Sequence, residues 1–155
     1  MMQTKSIFVI ILSLFLIGCE TISPTLRDCS SKVTAVEEGS RVTLRTLDDG
    51  GEAQARLNGV SALCNEKADI VSMRIKIGLK LVRDLSQNED VVELELPLII
   101  AILDLQDTVE SYESVSYKMT FPSRTSTIYP VILPKTQVQK SGRVIISLAP
   151  KVIKP

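Results

Sequence analysis

The chain has 155 residues, with 18 basic and 18 acidic side chains and no histidine. A balanced charge gives no global attraction to nucleic acid, and none is expected as a partner. Without imidazole there is no Ser-His or Cys-His pair and no common zinc ligand.

Lys5 followed by the largely apolar run Ile7 to Ile17 has the form of an export leader, and eleven residues are too few for a bilayer core that needs about 20. The run closes in Leu16-Ile17-Gly18-Cys19, the pattern of a bacterial lipobox. A small residue before the cut fits the protease, and the Cys19 thiol is expected to receive the lipid. Residues 1–18 are thus read as signal peptide and 19–31 as an acylated terminus and tether. Glu20 in place of Asp after the cysteine points to the outer membrane, with the domain facing the periplasm. Membrane attachment through the lipid on Cys19 is the partner contact this motif implies, because each buried methylene adds about 0.8 kcal/mol of membrane affinity.

With Cys19 assigned to lipid, Cys29 and Cys64 remain as a pair for an oxidising compartment. No Cys-x-x-Cys spacing is present to make them a redox or metal centre. A bridge across 35 residues stabilises by about 3 to 4 kcal/mol on the chain-entropy estimate.

From Lys32 onward apolar and polar residues alternate, and no long 3.6-residue period appears. Val42 and Leu44 alternate with Arg41, Thr43 and Arg45 before the turn residues Asp48-Asp49-Gly50-Gly51. The returning strand is expected over Glu52 to Cys64, with a bulge at Asn58-Gly59. Val71, Met73, Ile75, Ile77, Leu79 and Leu81 form the longest strictly alternating run. After a turn at Ser86-Gln87-Asn88-Glu89, the run Val92 to Ile102 is expected to return beside it as a central hairpin. That pairing would set Glu93 and Glu95 across from Arg74, Lys76 and Lys80. Further strands are expected over Thr108 to Phe121, Thr127 to Leu133 and Arg143 to Ala149, separated by prolines and Ser141-Gly142. Seven or eight strands and one disulfide describe a single all-β domain over 32–150 with a short tail at 151–155. The expected architecture is a two-sheet antiparallel sandwich of immunoglobulin or fibronectin-III kind, although the tryptophan of an immunoglobulin core is missing.

The lipobox, Arg27-Asp28-Cys29, Arg56-Leu57 running into Cys64, the long central hairpin and the closing Gly142-Arg143-Val144-Ile145-Ile146 strand together resemble a family of small uncharacterised alphaproteobacterial lipoproteins. The resemblance implies a β-sandwich with no established activity, so it supplies no catalytic residues to carry over.

Candidate chemistry is sparse. Glu93 and Glu95 stand about 6.6 Å apart along a strand, a spacing open to glycoside chemistry, but the aromatics of a sugar cleft are missing. Asp48, Asp49 and Glu52 match no calcium-loop spacing. No metal or cofactor is expected. One stretch departs from strict alternation: Ile99, Ala101 and Leu103 continue the parity of Glu93 and Glu95 as an apolar strip. It is either covered by the protein's own chain or meets an envelope protein. The function expected is a non-enzymatic binding or assembly module of the cell envelope; the alternative is a periplasmic carrier of a lipid or small apolar molecule.

Overall fold

A computed structural model describes residues 25–47 and 51–148. Cys19 with its leader, Asp48-Asp49-Gly50 of the first expected turn, and the tail lie outside the described residues.

Eleven strands are described: β1 (Arg27–Asp28), β2 (Val33–Ala35), β3 (Arg41–Arg45), β4 (Glu52–Lys67), β5 (Ile70–Arg83), β6 (Val92–Leu103), β7 (Val109–Phe121), β8 (Thr127–Ile128), β9 (Val131–Ile132), β10 (Lys135–Gln139) and β11 (Arg143–Ser147). They form two sheets. In the larger, the order is β1-β4-β5-β10, with β3 also on β4, and β8 and β9 also on β5; in the smaller it is β2-β11-β6-β7. All pairings are antiparallel except β2 with β11. The fold is thus an all-β sandwich, as the alternation predicts.

Alternation decides which face turns inward. Val71, Met73, Ile75, Ile77, Leu79 and Leu81 of β5 are buried, as are Leu94, Leu96, Leu98 and Ile100 of β6. Each such side chain contributes about 1.5 to 3 kcal/mol by leaving water. Between β4 and β5 the register slips at Leu57/Gly59, and Gly59 has φ +151°, a value suited to glycine; the bulge stands where Asn58-Gly59 predicts it.

The central hairpin does not form. β5 and β6 belong to different sheets, so Arg74, Lys76 and Lys80 are not across from Glu93 and Glu95. Two strands with one apolar face each can bury those faces against each other across a sandwich; side by side they would share one face that still needed a cover. The connection over 84–91 carries the chain from one sheet to the other, and the sheets meet at one corner through the Thr46 to Leu94 bridge and the Leu47 N–H on the Glu93 carbonyl.

Other departures follow from proline and from short apolar content. The strand expected over Thr127 to Leu133 is divided at Pro130. The segment nevertheless follows β5, because the Arg83, Leu79 and Ile75 N–H groups donate to the carbonyls of Ser126, Pro130 and Pro134 at 2.9, 3.0 and 2.9 Å. Proline still accepts where it cannot donate. The tether is shorter than the alternation suggests, since Arg27–Asp28 pairs with Leu63 and Cys64 of β4.

Candidate functional site

The outer face of the larger sheet is built by the same alternation that builds the core. With Val42, Ala55, Ile75 and Leu79 turned inward, Arg41, Arg56, Arg74, Lys76 and Lys80 turn outward. Lys135 of β10 joins them opposite Arg74. Across three adjacent strands Arg41 stands opposite Arg56, and Arg56 opposite Lys80, in one row. Like charges directly opposite each other destabilise a sheet by roughly 0.2 to 1 kcal/mol per pair. Among the described residues none of these six cations forms an ion pair, and the Lys118–Glu93, Arg124–Glu89, Lys140–Glu66 and Arg143–Asp107 bridges lie elsewhere. Lys80 instead stands 5.8 Å from the centroid of the Tyr129 ring, within reach of a cation–π contact.

Acidic groups stay at the margins of the face. Glu52 is opposite Arg45 at one end of β4. Asp28 at the other accepts from the Ser30 hydroxyl at 2.7 Å and its N–H at 2.8 Å, and these bonds hold its carboxyl below the usual aspartate range. Apolar side chains stand between and beside the cations: Leu63, Val82, Val131 and Leu133 are all exposed, Leu133 at 68%. Three shallow grooves cross this face. One of about 430 Å³ follows the Arg41, Arg56 and Lys80 row beside Val82, and two of about 400 and 560 Å³ meet at Arg74 and Lys135.

The residues singled out from the sequence fall in other places. Cys29 and Cys64 are bridged, with Cα atoms 5.8 Å apart, tying the segment after β1 to β4. Ile99 and Ala101 are half-buried on the outer face of the smaller sheet, beside Ser114 and Tyr112 of β7 and Ser147 and Ile145 of β11. Leu103 is better covered, at 5% exposed. The β6–β11 register runs unbroken to Arg143 opposite Leu103, and the shift at Ile102/Leu103 lies on the β7 side, where Glu110 is passed over. Glu93 is paired with Lys118 at 2.6 Å, and Glu95 accepts from the Ser116 hydroxyl at 3.5 Å. Both belong to the polar part of a sheet face, not to a cleft. Among the described residues no group of three or more metal-binding side chains occurs.

The basic face was only half visible in the sequence. Arg74, Lys76 and Lys80 share one parity, which places them together, but the row through Arg56 and Arg41 depends on which strands pair.

No family model, curated protein or solved structure matches this chain.

Proposed function

We propose that the chain is a lipid-anchored, periplasm-facing lipoprotein of the bacterial envelope that acts as a non-enzymatic binding or assembly module, held to the outer membrane through Cys19. The lipobox and the resemblance to small alphaproteobacterial lipoproteins support the address. The observation that carries the activity is the row of Arg41, Arg56 and Lys80, three facing cations with no acidic partner among the described residues. A protein gains nothing in stability from such a row, so an anionic partner accounts for it better than folding does. The space between the sheets speaks for surface binding over carriage, because Ile75, Ile77, Leu79, Leu94, Leu96 and Leu98 fill it.

The anchor is tested by labelling growing cells with palmitate. The wild-type chain incorporates the label, whereas Cys19→Ala takes up none and accumulates as the uncleaved precursor. Label in Cys19→Ala, or cleavage without label in the wild type, overturns the reading.

A further inference from the structure

The basic face and the point where the chain leaves the domain lie together. Leu26, one residue before β1, lines the groove that holds Arg74 and Lys135. Six residues lie between it and Cys19, and the seven steps along the chain, at no more than about 3.6 Å each, reach at most about 25 Å. An anchor on so short a lead, starting from this face, holds the face close to the bilayer. Its composition suits that position. Six cations are spread over a broad sheet surface, while Tyr129, Val131 and Leu133 project from the segment along β5. Lysine and arginine meet lipid phosphates, and tyrosine with exposed aliphatic side chains settles at the headgroup level.

We propose that the outer face of the larger sheet lies on the anionic phospholipid headgroups of the membrane that holds Cys19. This rests on the lipoprotein reading and adds an orientation to it: the larger sheet faces the lipid and the smaller sheet, with Glu93, Glu95, Ile99 and Ala101, faces the periplasm. Cations near an anionic surface each strengthen association about fivefold, an effect that fades beyond about 8 Å at physiological salt.

The lack of tryptophan makes the test direct. Leu133→Trp and, separately, Val131→Trp are introduced into the full chain, which is extracted from bacterial membranes and reconstituted into vesicles. The vesicles are phosphatidylcholine alone or with about one third phosphatidylglycerol, each with brominated acyl chains as quencher. Both tryptophans are expected to shift to the blue and to be quenched in the anionic vesicles. The response is lost in high salt and in Arg56→Glu/Lys80→Glu, while a Tyr112→Trp reporter on the smaller sheet stays unquenched. Equal exposure in both vesicles for both reporters, in protein that melts like wild type, overturns the inference. So does quenching of Tyr112→Trp in their place, or loss of a co-purifying acidic protein in Arg56→Glu/Lys80→Glu without any lipid response. Intact mass of the Cys19 peptide separates the two readings: a missing acyl chain defeats the anchor, and charge-dependent quenching still decides the face.

Discussion

Arg83 is the side chain whose surroundings are most fully specified by the fold. It is 5% exposed, yet it meets carbonyls instead of a carboxylate: Nε donates to Thr125 at 2.9 Å, one terminal nitrogen to Asp90 at 2.8 Å and the other to Pro122 at 3.0 Å. Its guanidinium also stands 5.2 Å from the centroid of the buried Phe121 ring. The planar fork joins the connection that crosses between sheets to the turn after β7, two segments with few apolar residues of their own. Arg83→Met is expected to leave three carbonyls without this donor and to cost about 3 kcal/mol or more. Arg83→Lys recovers only part of it, since a single ammonium cannot span three carbonyls set for a fork. Urea unfolding of the two variants checks the order wild type, Lys, Met; a methionine variant as stable as wild type would refute it.

At the scale of single elements, β6 carries the most informative contrast. Ile99 and Leu103 have the same parity in the sequence, but they differ in cover: Ile99 is half-buried and Leu103 is 5% exposed. Ile99→Lys should melt close to wild type, within about 1 kcal/mol, because a half-exposed lysine can extend its ammonium into water. Leu103→Lys should lose several kcal/mol by burying an unpaired charge. Thermal unfolding of the pair decides, and equal losses would mean that the strip around Ile99 is covered after all. The inward rows of β5 and β6 were legible because period two over many residues has one physical explanation. The partner of each row was not legible, since side-by-side pairing and face-to-face packing both satisfy an apolar stripe. β2 and β10 escaped because Val33 and Val138 are the only buried side chains on them.

For the whole molecule, the disulfide closes a loop of 35 residues that includes β2, β3 and most of β4. Removing it with paired Cys29→Ser and Cys64→Ser substitutions should lower stability by about 3 to 4 kcal/mol while leaving the sheets intact, because the bridge restrains mainly the unfolded chain. Circular dichroism with urea titration measures both; a variant with unchanged midpoint would show that the bridge constrains nothing the sheet does not. Neutral overall charge conceals an uneven distribution across the sandwich. Cations gather on one face, and Glu93 and Glu95 belong to the other, so a balanced net charge says nothing about a polarised surface. The basic face was therefore the least legible part of the chain, dependent on pairings between residues far apart in sequence.

The segment over 126–134 also determines what the larger sheet can do in a crowd. A free strand edge invites a strand from another molecule, and chains confined to a surface meet one another often. Along this border of β5 the available donors are already taken by the Ser126, Pro130 and Pro134 carbonyls. Pro130 and Pro134 also break the segment into strands of two residues, an edge too short to template a long ladder. The same residues that interrupt a strand thus act as a selvedge, covering the border of β5 where a strand from another molecule would otherwise pair.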